Sequence, residues 1–184
     1  MTISRAMRTL TFPSRFTLAA ALNPCPCGYF NDPRRDCACT PMQISRYLGR
    51  ISGPLLDRID LQVEVPALSP EEISQMTPGE PSAEIRERVE AARSKQRERF
   101  TDHTIIANAQ MTTRHLREYC RLSKESQSML DRAVEKLGLS ARAYDRILKV
   151  ARTIADLGGD EELGSEHVAE AIQYRALDKS YFRT

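Results

Sequence analysis

The distribution of proline most strongly constrains how this chain can fold. All ten prolines lie between Pro13 and Pro81, and residues 82–184 contain none. Because proline fixes φ and removes a backbone donor, a stretch of about 100 residues without it is free to be largely helical. The chain therefore divides near residue 81 into a turn-rich part and a helical part. Neither a uniform helix bundle nor a β-sandwich is expected.

Composition and length exclude several classes of protein. A chain of 184 residues accommodates one domain or two small ones, and 41% hydrophobic with 28% charged residues is a globular composition. The net charge of +2 is too small to indicate nucleic-acid binding by itself. No apolar run approaches the roughly 18 residues of a membrane span, and the N-terminal residues lack the apolar region of a signal peptide. We expect a cytoplasmic protein with no membrane partner.

Two segments of the proline-rich part predict β-strands. Residues 15–22 (RFTLAAAL) are apolar at nearly every position, which suits a strand buried on both faces of a parallel sheet. Residues 58–65 (RIDLQVEV) alternate between apolar and polar side chains, so one face is expected to be covered. The first 81 residues therefore predict an α/β fragment.

Helices are predicted mainly beyond residue 81. Apolar residues from Ile85 to Phe100 recur with a period of 3.6 on an otherwise charged segment. Further helices are predicted at residues 113–120, 123–137, 140–157 and 165–176. Ser123, Ser140 and Ser165 are plausible N-caps for the last three, and Gly138 and Gly158 are plausible C-terminal glycines. In the first part, a short helix is predicted at residues 41–48 with Thr40 as N-cap, and one helical turn at residues 71–75.

Several patterns of enzyme sites are missing from the sequence. It contains no G-x-x-x-x-G-K-[ST] phosphate loop and no apolar strand ending in Asp-Glu. No Ser/His/Asp or Cys/His arrangement indicates nucleophilic catalysis. The three histidines lie far apart and away from the clustered cysteines, so ordinary structural roles are expected for them.

Asn23 and Arg58 are the first candidate site residues. Asn23 directly follows the first predicted strand, where α/β folds place their ligands, and its amide could orient a water or contact a phosphate. Alternatively, Asn23-Pro24 simply starts a turn. Arg58 lies between Asp57 and Asp60 and could be a salt-bridged structural residue. Its other possible role is to offer a guanidinium to a phosphate across a subunit boundary.

Arg142 is the third candidate. If Ser140 caps the helix, Arg142 lies in the first turn, where a cation opposes the helix dipole at a cost of about 0.3–1 kcal/mol. A bound anion nearby would remove this anomaly, since the N–H groups of a helix N-terminus bind anions. The alternative is a solvated side chain paired with Asp145 or Asp131.

Four of the five cysteines form two close pairs, Cys25-Pro-Cys27 and Cys37-Ala-Cys39. Clustered cysteines in a cytosolic protein favour metal or redox chemistry over structural disulfides. Four thiolates could form a tetrahedral zinc site. A redox-labile thiol cluster and four reduced structural cysteines are the alternatives. Cys120 stands apart and is expected in the core.

Taken together, these motifs resemble a known family. Residues 18–28 (LAAALNPCPCG), the second cysteine pair and residues 51–61 (ISGPLLDRIDL) resemble the magnesium-chelatase-like AAA+ ATPases of the bacterial ComM/YifB type. Residues 82–176 resemble the helical lid of that family. The resemblance implies that residues 1–81 are the C-terminal part of an AAA+ core, with its last parallel strands and a cysteine-rich insert. It also implies that residues 82–184 are an all-α lid.

The resemblance also implies roles for the candidate residues. Asn23 would be sensor 1, Arg58 the arginine finger that reaches the neighbouring subunit's nucleotide, and Arg142 sensor 2. The family assembles as ring-shaped, usually hexameric, homo-oligomers that use ATP and Mg²⁺. Its ComM type is similar to branch-migrating DNA helicases, so DNA is an expected partner.

The family's phosphate loop and Asp-Glu strand precede the region present here. This chain is therefore expected to be the C-terminal third of such a protein and to be unable to hydrolyse ATP unaided. The competing hypothesis is a stand-alone, zinc-stabilised adaptor that binds nucleic acid or a protein through its helical part.

Overall fold

The computed structural model describes residues 2–5, 8–12, 16–75, 77–101 and 105–175. Within these residues the chain is mostly helical, and its single sheet is a hairpin in which β1 (Thr2–Arg5) pairs antiparallel with β2 (Arg8–Thr11). Threonine hydroxyls pair across the hairpin, Thr2 with Thr11 at 3.1 Å. The helices are α1 (Pro41–Leu48), α2 (Gly53–Leu56), α3 (Pro70–Ser74), α4 (Ser82–Arg99), α5 (Thr113–Tyr119), α6 (Lys124–Leu137), α7 (Ala141–Gly158) and α8 (Ser165–Gln173), with a 3₁₀ turn at Asn108–Gln110.

Neither predicted strand forms in the structure. Residues 16–22 and 61–65 have no regular secondary structure, and their apolar side chains are exposed, up to 77% for Phe16 and 85% for Val65. A strand requires a neighbour that accepts and donates its backbone hydrogen bonds, and no strand of the described residues lies beside either segment. The parallel-sheet part of the predicted fold class is therefore not confirmed. Arg15, the first residue of the first predicted strand, lies outside the described residues.

The helix predictions are confirmed, with small shifts at the ends. Thr40 and Gln43 form a reciprocal capping box at the start of α1. The caps Ser123 and Ser140 accept bonds from the third residue of α6 and α7. Gly138 ends α6 in the left-handed conformation, with φ of 56°.

The predicted end of α7 and both ends of α8 differ slightly. The helix α7 extends through Gly158, and Gly159 is its left-handed C-cap with φ of 91°. Gly164, not Ser165, is the N-cap of α8, and its N–H donates to His167 Nδ1 at 3.0 Å. The imidazole thus accepts the N–H of the cap residue, as the third residue of a helix does in a capping box. The helix is described to Gln173, and the predicted last residue, Ala176, lies outside the described part of the chain.

The hydrophobic core lies in the C-terminal helical part, by which we mean residues 82–175. Its central element is α7, in which Ala143, Ile147, Ala151 and Ala155 recur every four residues and are fully buried. This face packs against α4, α5, α8 and the 3₁₀ turn. The main cluster of buried apolar residues runs from Phe100 to Ala171.

A polar network is buried beside this core, around Asp156. Arg99 donates to the Asp156 carboxylate from both terminal nitrogens, Nη1 and Nη2. Arg152 Nε, at 3.1 Å, and Asn108 Nδ2, at 2.7 Å, donate to the same carboxylate. Burial alone would raise the pKa of Asp156, but the Arg99 and Asn108 hydrogen bonds and the two positive charges hold it below its ordinary value. The network joins α4 and the 3₁₀ turn to α7.

No helix in the described parts of the chain combines the length and apolar character needed to cross a lipid bilayer.

Candidate functional site

Arg58 lies in a tight turn that follows α2. The amide of Asp57 bonds to Gly53 O at 2.9 Å, and the Arg58 amide bonds to Leu55 O at 2.9 Å. The Arg58 side chain is exposed, and its Nη1 donates to the carbonyl of Pro54 at 2.7 Å. The two carboxylates beside Arg58 turn to the C-terminal helical part instead. The guanidinium of Arg58 therefore remains at the surface.

Asp57 contacts the N-terminus of α7. Ser140 Oγ, the N-cap hydroxyl, donates to the Asp57 oxygens at 2.9 and 3.0 Å. Arg142 Nη1 lies 3.9 Å from the same carboxylate. A negative charge at this position is favourable because the helix dipole is positive there. The unfavourable position of Arg142 in the first turn is thus offset by Asp57, and neither Asp145 nor Asp131 is its partner among the described ion pairs.

Further contacts attach the segment of residues 56–62, which we call the Arg58 segment, to the C-terminal helical part. Asp60 forms an ion pair with Arg146 of α7. The Gln62 N–H donates to the carbonyl of Tyr174 at 3.0 Å. Arg175, which is only 1% exposed, donates to carbonyls of the same segment.

The structure connects two of the three predicted phosphate-contacting residues indirectly, through Asp57. Arg142 contacts Asp57, which precedes Arg58 in the chain, and the side chain of Arg142 is 56% exposed. Asn23 is also exposed, but it lies in irregular chain before the cysteine cluster. No described contact connects Asn23 to Arg58 or Arg142.

The four clustered thiols converge as the sequence predicts. Cys25 Sγ lies 3.3 Å from Cys27 Sγ and 3.7 Å from Cys37 Sγ, and Cys27 and Cys37 are 3.5 Å apart. With Cys39, all four sulfur atoms lie within 4.8 Å of one another, and none forms a disulfide. A tetrahedral zinc with Zn–S bonds of about 2.3 Å needs sulfur atoms about 3.8 Å apart, so the arrangement fits this ion.

Local backbone geometry explains how the cysteines meet. Gly28 adopts φ of 87° and donates its N–H to Cys25 O at 3.1 Å, which closes a turn around the first pair. A backbone N–H of Tyr29, with help from the neighbouring thiols, lowers the pKa of Cys27 to about 6. The pKa of Cys37 is raised to about 12 and that of Cys39 is also raised, because burial and the neighbouring thiols outweigh the backbone hydrogen bonds there. Binding of a metal by all four thiolates would therefore release protons from the cluster.

The contacts of the Arg58 segment were only partly predictable. The two carboxylates flanking Arg58 are visible in the sequence, but the pattern indicated a pairing with Arg58 itself. Their actual partners, Arg142, Arg146 and Arg175, are 85 or more residues away in the chain. Arg142 is a cation in the first turn of α7, where the helix dipole favours an anion. This was the one local signal that an anion lies nearby.

Comparison with known proteins decides the family. Residues 79–175 match the family described as magnesium chelatase, subunit ChlI C-terminal, and residues 1–73 match magnesium chelatase, subunit ChlI. The chain belongs to the magnesium chelatase ChlI family. The resemblance noted in the sequence is therefore confirmed.

Individual relatives are similar along almost the whole chain. YifB of Escherichia coli is 42% identical over 178 residues, which is 96% of this chain and 34% of that protein. The competence protein ComM of Haemophilus influenzae is 46% identical over 177 residues, 95% of this chain and 33% of that protein. A Mycobacterium tuberculosis protein is 40% identical over 164 residues, 89% of this chain and 32% of that protein. The chain thus spans about a third of the length of these relatives.

Proposed function

We propose that this chain acts as the C-terminal part of a magnesium-chelatase-like AAA+ ATPase of the ComM/YifB type. The observation that carries the proposal is the contact of Asp57 with the N-terminus of α7. Through Asp57, the motif that carries Arg58 meets Arg142, and both arginines are exposed. Each exposed guanidinium suits the binding of a phosphate, because it offers paired donors and a permanent charge, and Asp57 connects the two motifs that carry them.

In this proposal each residue has a separate task. Arg58 is the arginine finger, which stabilises the charge that develops on the transferred phosphoryl group of ATP bound to the next subunit. Arg142 is sensor 2 and binds nucleotide phosphate. Asn23 is sensor 1 and orients the attacking water. ATP and Mg²⁺ would bind to the phosphate loop of the longer protein, which assembles as a hexameric ring in the cytoplasm.

The exposed apolar segments support the same domain organisation. Leu18 is 64% exposed and Val63 is 66% exposed, although their segments have the composition of buried strands. In the longer protein, residues 16–22 and 58–65 would pair with the remaining strands of the parallel sheet. Residues 1–81 would then complete the ATPase core, and residues 82–184 would be the lid. The likeness to the ComM type supports DNA branch migration as the work that this motor performs.

The test uses the full-length ATPase, by which we mean the longer protein of which this chain would be the C-terminal third. Arg58→Ala is expected to lower the rate of ATP hydrolysis by about 10³-fold, the usual contribution of an arginine finger. Arg142→Ala is expected to weaken nucleotide binding. Arg86→Ala, which removes an exposed arginine of α4, is the matched control and should leave hydrolysis unchanged. Wild-type rates in both site variants would overturn the proposal, as would robust ATP turnover by this chain alone.

We further propose that Cys25, Cys27, Cys37 and Cys39 bind one structural zinc ion. A closed four-thiolate site provides no open position for catalysis, so its task would be to fix the loop that follows Asn23. Elemental analysis of the purified chain should find one zinc, retained by Cys120→Ala and lost by Cys37→Ser. Four titratable thiols with a zinc content well below one per chain would contradict the site.

The thiol cluster is also the observation that favours the second candidate, a zinc-stabilised adaptor. If the chain only binds nucleic acid or a protein partner, then Arg58→Ala and Arg142→Ala should have little effect in the full-length protein. Cys37→Ser would instead abolish binding of the partner. The two functions therefore give opposite results with the same set of variants.

A further inference from the structure

Arg175 is a buried guanidinium that contacts three residues of the Arg58 segment. Arg175 lies two residues beyond the end of α8 and is only 1% exposed. It donates to the carbonyl oxygens of Leu56, at 3.4 Å, and Ile59, and lies 3.7 Å from the Asp57 carboxylate. A buried cation is costly unless it is paired and hydrogen-bonded, so these contacts are a strong restraint on both partners.

These contacts flank Arg58 on both sides in the chain. Leu56 and Ile59 lie two residues before and one residue after it, and Asp57 is its direct neighbour. None of the described contacts joins Arg175 to the side chain of Arg58. It therefore fixes the backbone from which Arg58 projects and leaves the guanidinium of Arg58 available.

The same segment is attached to the C-terminal helical part from a second direction. Asp57 accepts from the Ser140 hydroxyl and lies near Arg142, while Asp60 pairs with Arg146. These partners occupy the cap and the first turns of α7, whereas Arg175 follows α8. A segment restrained by two helices that share one hydrophobic core must move with them.

We propose that Arg175 is a positioning residue that fixes the Arg58 segment to the C-terminal helical part, so that Arg58 and Arg142 move as one unit. This inference rests on the proposed function, in which both arginines contact nucleotide phosphate. It changes where motion is expected. Because residues 58–65 belong to the ATPase core in that function, the core and the lid would not hinge at the Arg58 segment.

The geometry also allows Arg142 to exchange its partner. Its ion pair with Asp57 is long, at 3.9 Å, and the Arg142 side chain is 56% exposed. Water therefore weakens the pair. Arg175 contacts the same carboxylate from a buried position, and the Ser140 hydroxyl donates to it at 2.9 Å. When a phosphate binds Arg142, Asp57 therefore keeps two other partners and the Arg58 segment remains attached.

A double-mutant cycle in the full-length ATPase tests the inference. Arg175→Met preserves the length of the side chain and removes its charge and donors. We expect it to lower the rate of ATP hydrolysis by about 100-fold, since a small displacement of a catalytic group costs that much. The double variant Arg58→Ala/Arg175→Met should be no slower than Arg58→Ala, because Arg175 acts through Arg58. If the double variant is instead slower than Arg58→Ala by the full factor that Arg175→Met causes alone, the inference is overturned.

Hydrogen exchange in the same protein separates positioning from general destabilisation. In Arg175→Met, the Gln62 amide, which donates to Tyr174 O, should exchange faster, while amides of residues 147–155 in α7 keep their protection. Arg121→Met, at an exposed arginine before α6, is the matched control and should change neither. Unchanged exchange at Gln62, or equal loss of protection in α7, would overturn the inference.

A second variant covers the case in which Arg175→Met does not fold. Asp57→Asn removes the charge shared by Arg142 and Arg175 from a side chain that is 26% exposed, so the core is not disturbed. We expect it to slow hydrolysis and to speed exchange at Gln62, and no change in either would refute the positioning role. If Arg58→Ala alone leaves hydrolysis unchanged, the proposed function fails. Exchange at Gln62 still reports whether Arg175 fixes the segment.

Discussion

The two parts of this chain differ in how they are stabilised. The C-terminal helical part has a continuous apolar core with α7 at its centre. The first 81 residues contain a hairpin and three short helices, and among their described residues only Cys25, Leu48 and Leu56 are buried hydrophobic residues. Both parts are rich in apolar side chains, so apolar content does not explain the difference.

The difference shows the importance of backbone hydrogen bonding. A helix satisfies its own amides and carbonyls, so each proline-free segment can form first and then pack. A strand needs a neighbour, and residues 16–22 and 61–65 have none among the described residues. The first part therefore depends on particular contacts, namely the thiol cluster and the bonds of the Arg58 segment.

The largest effect is expected from Asp156, whose carboxylate joins three buried or half-buried side chains. Asp156→Ala leaves Arg99 and Arg152 without their shared counter-ion, and breaking a buried pair costs about 3–5 kcal/mol. Urea unfolding of the chain measures this cost. Glu162→Ala, at an exposed carboxylate, is the control and should change the free energy of unfolding by less than about 0.5 kcal/mol. A similar small value for Asp156→Ala would refute the role of the network.

A pair of truncations compares the two parts directly. Ile147→Ala, at a fully buried position of α7, should cost about 2–5 kcal/mol because it leaves a cavity. Val65→Ala, at a position that is 85% exposed, should lie within about 0.5 kcal/mol of wild type in the same urea titration. Equal costs would mean that both parts share one core.

These expectations follow from what the sequence could and could not predict. Helices α6 and α7 were predictable because their caps, Ser123 and Ser140, and their apolar periods are local. The convergence of the cysteines was predictable from their spacing. Strand formation was not, since it depends on a partner elsewhere. The role of Arg175 was also hidden, because no local pattern shows that a residue will bond to carbonyls more than 100 residues away.

Acid should weaken the C-terminal helical part through Asp156, and only at low pH. The pKa of Asp156 is lowered in the folded state, so its contribution to stability is present above the unfolded value of about 3.9. That contribution is lost as the pH falls through the lowered pKa. The difference in free energy of unfolding between wild type and Asp156→Asn should therefore shrink below about pH 4. A difference that is constant down to pH 2 would contradict the assigned ionisation.

A smaller and local effect is expected from metal removal. Treatment with a chelator should increase hydrogen exchange in residues 24–39 and leave residues 147–155 unchanged, since the cluster and the helical core share no buried residues. Cys120→Ala, which alters the one cysteine outside the cluster, should respond to the chelator as wild type does. A chelator effect that spreads into α7 would mean that the two parts fold together.

Hydrogen exchange along the unmodified chain tests the contrast between the two parts most directly. The account predicts strong protection for amides of α6 and α7 and little for residues 16–22. The Arg58 segment should show intermediate protection, because its bonds to the C-terminal helical part restrain it without burying it in the core. Protection in residues 16–22 equal to or stronger than that of α7 would contradict the account.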